Sequence, residues 1–327
     1  MGTVELKLKI KEKWFLSAIS IYLMLGVYLL FITYSTSFLG IKIKKENEQW
    51  LVTDFYYKDW AAERQITPGD NVVKIDGNKI NDIPFIKSEY IIREAKSLTI
   101  MQPNGNLVHI QIKPLAIPEY FYFVFIVPTC YFFLTLMISL YLYFKQRNTP
   151  LLDLLILFIL TVSLAYVSLG ASGILNNFGI IVNRGSMLLC LVLLLHFLKE
   201  YFSFLNIKWP LLKNIKVLYI LPLTVVILSI FGIVFDDIHS LVSSIILGIF
   251  FLLLVAILSI MIISYIIYRV PKLKILISSI IIPFIPFLFL YALPETFFHR
   301  QILSADISSI FLLLIPFSFI FTQLTER

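Results

Sequence analysis

The sequence predicts a polytopic α-helical membrane protein of about eight transmembrane helices, with one small α+β extracytoplasmic domain inserted after the first. Three observations carry this. Of 327 residues, 59% are apolar and only 14% are charged, with a mean hydropathy of +0.90. Soluble domains run at roughly 45–50% apolar and 25% charged, so a soluble enzyme is excluded. Residues 42–96 together with Lys113 hold 11 of the 27 Lys/Arg and 10 of the 20 Asp/Glu, so about half the charge is confined to one short segment. Eight other stretches are long and apolar enough to cross about 30 Å of hydrocarbon.

Those stretches are 14–38, 120–144, 151–171, 182–205, 217–235, 241–268, 275–293 and 307–324. The first follows a tail, residues 1–13, that carries Lys7, Lys9, Lys11 and Lys13. Its apolar run is too long for a secretion signal and lacks a small-residue cleavage site, so it reads as a retained anchor. Thr149, Pro150 and Asp153 have the chemistry of a helix start: a capping side chain, a first-turn proline and an acid near the positive end of the dipole. Prolines 128, 222, 283, 286 and 316 fall within spans, where bundle shape is the simpler reading and a hinge the alternative.

Basic residues set the orientation. Lys145 and Arg147, then Lys199, Lys208, Lys213 and Lys216, then Arg269, Lys272 and Lys274 occupy every second connection. The alternate connections, 172–181, 236–240 and 294–305, offer Arg300 alone. Lys and Arg are retained on the cytoplasmic side, so both termini are expected inside the cell, and residues 39–118 outside a plasma membrane. The net charge of +7 is thus a mark of topology and argues against nucleic acid as a partner.

In residues 39–118 the pattern changes from helical to alternating. Ile41 and Ile43, residues 50–55 and residues 71–75 read as strands, 61–64 as a short helix, and 98–112 as a hairpin turning at Pro103–Asn106. Phe85, Ile86, Tyr90, Ile91 and Ala95 recur at helical spacing, which predicts a helix over 84–95. From Ala61 to Gly77, with Pro68-Gly69-Asp70, an apolar strand and the Asp76-Gly77 turn, the segment resembles a bacterial, circularly permuted PDZ domain. Such domains take an extended peptide as an added strand, with its carboxylate on the amides of a glycine-containing loop. The resemblance places that loop at Leu39, Gly40 and Ile41, and the groove between a strand bearing Ile43 and a helix bearing Ile86 and Tyr90. A peptide or protein partner at this groove and a folded spacer both remain open.

Candidate chemistry is sparse. Cys130 and Cys190 lie in spans, no Cys/His spacing suits a metal, and no cofactor is expected. Gly170-Ala171-Ser172-Gly173 matches the serine motif of rhomboid intramembrane proteases, but His196 has no adjacent glycine to let a base approach, so the sequence supplies no catalytic residue. Span centres nearly free of charge argue against a transporter. Polar residues gather instead on the outer side, and Arg184 and Asp306 are the pair most costly to leave without a role; they are expected to pair or to line a pocket.

The order of one anchor, an external domain opening with Leu39-Gly40-Ile41-Lys42-Ile43, and seven more spans resembles the membrane half of the ComP family, the quorum-sensing histidine kinases of Bacillus competence systems. Ala165-Tyr166-Val167-Ser168, Ile181-Val182-Asn183-Arg184, Tyr219-Ile220-Leu221-Pro222 and Leu314-Ile315-Pro316-Phe317 carry the likeness. The resemblance implies a sensor, 119–324 being its seven-helix bundle, that detects ComX, a secreted peptide pheromone prenylated on tryptophan. It implies a homodimer whose kinase half binds ATP and phosphorylates the response regulator ComA. That half would begin at 325–327, so this chain is itself expected not to be an enzyme. A prenyl chain gains about 0.8 kcal/mol per buried CH2, which favours arrival through the bilayer. Asn176, Asn177, Arg184, Asp237, His299 and Arg300 are the residues expected to read the peptide, with the lipid against aromatic-rich helices such as 284–291.

Overall fold

A computed structural model describes residues 2–35, 38–55, 58–83, 91–112, 121–145, 150–174, 176–207, 214–235, 239–286 and short pieces of 289–316. The chain forms two compact units, one of residues 1–129 with 167–179, the other of 130–166 with 180–327.

The first unit begins with α1 (Gly2–Ser35), which is helical well before the expected span, of which Phe15–Ser35 is apolar enough to cross a membrane. An antiparallel sheet follows: β1 (Phe38–Glu46), β2 (Gln49–Phe55), β3 (Asn71–Ile75), β4 (Asn78–Lys79), β5 (Ile91–Glu94), β6 (Ser97–Met101) and β7 (Leu107–Gln111), with a short helix α2 (Lys58–Glu63) after β2. The strand order is β5-β1-β2-β3-β6-β7, with β4 paired to β3. Alternation decides which side faces inward: Leu39, Ile41 and Ile43 are buried, whereas Lys44 is exposed.

Two turns hold the sheet in register. At Pro68-Gly69-Asp70, the Thr67 N–H donates to Asp70 Oδ2 at 2.7 Å, while the Gly69 N–H donates to the Val52 carbonyl at 2.8 Å from a φ of 97° that suits glycine. At Asp76-Gly77, both residues have positive φ, 51° and 79°, as a two-residue hairpin turn between β3 and β4 requires. Asp76 Oδ1 also accepts the N–H groups of Lys96 and Ser97 at 2.6 and 2.7 Å, pinning this turn to β6.

The strands read at 41–43, 50–55 and 71–75 and the hairpin over 98–112 are present, and the short helix lies slightly earlier than read. The helix expected over 84–95 does not extend through its last turn: residues 91–94 are strand β5, antiparallel to β1, and 84–90 lie outside the described residues. The physical reason is long-range. The spacing of apolar residues is compatible with a helix, but the backbone groups along the second edge of β1 need partners, and an extended segment supplies them.

The remaining helices are α3 (Val127–Lys145), entered through a π-helical turn at Phe121–Ile126, α4 (Pro150–Gly173), α5 (Asn177–Phe204), α6 (Ile220–Val234), α7 (His239–Tyr268) and α8 (Pro271–Pro286). α4 starts at Pro150 with Asp153 in its first turn, as its sequence signals. Six described segments are long and apolar enough to span a bilayer: Phe15–Ser35, Phe121–Lys145, Pro150–Gly173, Asn177–Phe204, Ile215–Val234 and Leu241–Tyr268. They coincide with the first six predicted spans and make this a multi-pass membrane protein. α8 covers part of the seventh and contains Pro283 and Pro286; most of the eighth, 307–324, lies outside the described residues. α6 and α7 leave Leu223, Leu252 and Ile266 more than 60% exposed, an apolar surface of the kind that lipid covers.

Candidate functional site

One turn of α5 carries Asn183, Arg184 and Gly185, and each of them meets a different helix. Asn183, 7% exposed, donates from Nδ2 to the Ala165 carbonyl of α4 at 2.9 Å. Arg184 donates from Nη2 to Ser243 Oγ of α7 at 2.6 Å. At Gly185 an added Cβ would stand 2.9 Å from Val226 Cγ2, so glycine is what allows α6 to approach. Below this turn Leu188 packs with Val225, Val242 and Ile246 of α6 and α7. The residues 181–184 that carried part of the family resemblance are therefore the point where α4, α6 and α7 are tied to α5.

Arg184 is the charged member. Its Nη1 is buried and has no hydrogen-bond partner among the described residues. A guanidinium has five N–H donors, and a charge within a span is costly to leave without partners. α6 and α7 contain no Asp or Glu, and Asp153 of α4 lies 12 residues, hence about 18 Å of helix, before Ala165. Among the described residues, no carboxylate is placed against this guanidinium. Asp306, expected to pair with Arg184, lies outside the described residues, as do Asp237, His299 and Arg300.

The other predicted ligand residues are placed elsewhere. Asn176 caps α5: its Oδ1 accepts the Gly179 N–H at 3.0 Å, and its own N–H donates to the Ala171 carbonyl at 3.0 Å. Asn177 is exposed at the first position of the helix. Both belong to the first compact unit, whereas Arg184 belongs to the second. In the sheet, Leu39, Ile41 and Ile43 are no more than 3% exposed and fill the core, and Gly40 has a φ of 60°. Ile86 and Tyr90 lie outside the described residues. The groove expected beside β1 is not open there, because β5 pairs with that edge.

The serine motif has a packing role. A Cβ at Gly170 would fall 2.7 Å from Thr33 Cγ2 of α1, and one at Gly179 would fall 2.6 Å from Ala171 Cβ and 2.7 Å from its carbonyl carbon. Small residues are required because two backbones approach closely.

Sequence reasoning weighed His196 as a catalytic base, set it aside and gave it no structural role. Its Nδ1 lies 2.9 Å from Tyr219 Oη, the rings meet edge-on at 5.8 Å, and its Nε2 stands 3.9 Å from Glu200, which Lys199 approaches at 3.4 Å. The i,i+4 spacing of His196 and Glu200 was a visible signal, but Tyr219 is on another element and was not.

No family model matches this chain. Among curated proteins it is 26% identical over 333 aligned residues to the sensor histidine kinase ComP of Bacillus subtilis (strain 168), an alignment that covers 97% of this chain and 42% of that protein. The chain thus spans about two-fifths of the relative's length. Over nearly all of its own length the chain is similar to a sensor histidine kinase, ComP, which bears out the resemblance read from its order of spans and domain.

Proposed function

We propose that this chain is the membrane sensor region of a two-component histidine kinase, with residues 39–118 outside the cell, and that it detects a secreted prenylated peptide. The observation that carries the reading is the similarity to a sensor histidine kinase along 97% of the chain. The prenyl group partitions into the bilayer and meets the apolar bundle. The peptide's oxyanion is read by Arg184, whose Nη1 lacks a partner among the described residues. Movement at the turn 183–186, which is tied to three helices, is then transmitted through α5 to the cytoplasmic side and a kinase segment, which as a dimer consumes ATP and phosphorylates a regulator of the ComA kind.

Grafting residues 1–327 onto the kinase portion of a relative tests this. The chimera is expected to respond to the prenylated peptide secreted by the strain that supplied the graft, and no longer to that of the kinase donor. A chimera that keeps the donor's specificity contradicts the reading.

A further inference from the structure

The edge of β1 has the properties of a strand-addition site, and the occupant present is the chain's own. Lys42 pairs with Ile91, Ile41 with Ile92 and Phe38 with Glu94, with an irregularity between Phe38 and Ile41, where Gly40 has its positive φ. β5 therefore runs antiparallel to β1 and toward the Leu39-Gly40 loop. That is the direction in which a C-terminal peptide adds to a sheet edge to bring its carboxylate to a glycine loop. Ile92 is 2% exposed and lies within the core cluster of the sheet, as does Ala95 just beyond the strand, so β5 supplies a side chain as well as backbone bonds. β1 is paired on its other edge with β2. Among the described residues it has no backbone edge left over.

We propose that β5 is a built-in pseudo-ligand: Ile91–Glu94 occupies a peptide-accepting edge of β1, and an extended peptide with an aliphatic residue at the place of Ile92 enters only when β5 leaves. The inference does not depend on the pheromone reading.

The test uses the full chain in nanodiscs, with backbone hydrogen exchange and a fluorescent synthetic peptide of the sequence of residues 88–95. In the native chain the amides of 91–94 are expected to exchange about 100-fold more slowly than in the free peptide, and the peptide is expected not to bind. Ile92→Pro removes an N–H and breaks the strand; this chain is expected to bind the peptide and to regain protection in β1 when it does. Fast exchange of 91–94 in the native chain overturns the proposal. So does peptide binding to the native chain with β5 still protected, or failure of the folded variant to bind. Should Ile92→Pro not fold, Ile41→Cys with Ile92→Cys, in a chain whose Cys130 and Cys190 are replaced by Ser, decides: directly opposed residues lie within disulfide reach, and mild oxidation is expected to link them fully. Ile43→Cys with Ile92→Cys is expected to stay reduced. Equal yields from the two pairs overturn the register and the proposal with it.

Discussion

Arg184 and Ser243, 59 residues apart in sequence, are joined by a 2.6 Å hydrogen bond from Nη2 to Oγ that ties α5 to α7. The bond satisfies one side of a guanidinium and leaves Nη1 buried without a partner among the described residues. A charge held in this way is fixed in place by one neighbour.

Arg184→Gln keeps a polar, though shorter, side chain and removes the charge. The concentration of prenylated peptide giving a half-maximal response is expected to rise at least about tenfold, equivalent to about 1.4 kcal/mol. Arg184→Lys keeps the charge but not the fork, and is expected to restore only part of the response. Ser243→Ala is expected to have a smaller effect than Arg184→Gln. Dose–response curves of a kinase chimera check the order of the three.

Gly179 and Gly170 are expected to tolerate no larger side chain. Gly179→Ala forces a contact of 2.6 Å on Ala171, and overpacking of this kind costs about 1–3 kcal/mol. Gly248→Ala, at a helix position with nothing within 4 Å, is the control and is expected to be neutral or slightly stabilising. Thermal unfolding of the detergent-solubilised chain separates the two. Ser172→Ala is expected to leave fluorophosphonate labelling of the chain unchanged, at background.

Asp76→Ala removes two hydrogen bonds to the start of β6, and the turn is exposed, so a loss of about 1–2 kcal/mol is expected. Hydrogen exchange of residues 96–101 is expected to rise more than that of β1 and β2, because the pinned strand is released locally.

Tyr219→Phe removes the hydroxyl that meets His196 Nδ1 and keeps the ring contact. A loss of about 1 kcal/mol is expected, with the basal kinase output of a chimera altered while the peptide concentration for half-maximal response stays within about twofold. A change in apparent peptide affinity as large as that of Arg184→Gln would contradict the separation of these two sites.

Much of the fold was legible because its signals are local. Unbroken apolar runs marked the first six spans, Pro150 and Asp153 marked the start of α4, and alternation marked β1, β2, β3 and the 97–111 hairpin. Asp76-Gly77 named its own turn. β5 was not legible: Phe85, Tyr90 and Ile91 obey a helical period, and only the unpaired edge of β1, some 50 residues earlier, makes an extended conformation better. For the same reason Gly170 read as part of a serine motif although its close packing against Thr33, a neighbour in space alone, was not visible. Arg184 stood out by the cost of a charge in a span, whereas the tie from His196 to Tyr219 depends on a partner 23 residues away. Asn176 could have been read as a cap from its position before α5, but its place among other polar residues suggested a ligand role.

The central claim is that the helical bundle, at the turn bearing Arg184, reads the peptide, and that the sheet does not. A prenylated peptide carrying a photoreactive group beside its C-terminal carboxylate, activated on the full chain in nanodiscs and mapped by mass spectrometry, tests it most directly. The account predicts adducts on α5 and α7 around Arg184 and Ser243, lost in Arg184→Gln. Adducts confined to residues 38–112, and unchanged by that substitution, would contradict it.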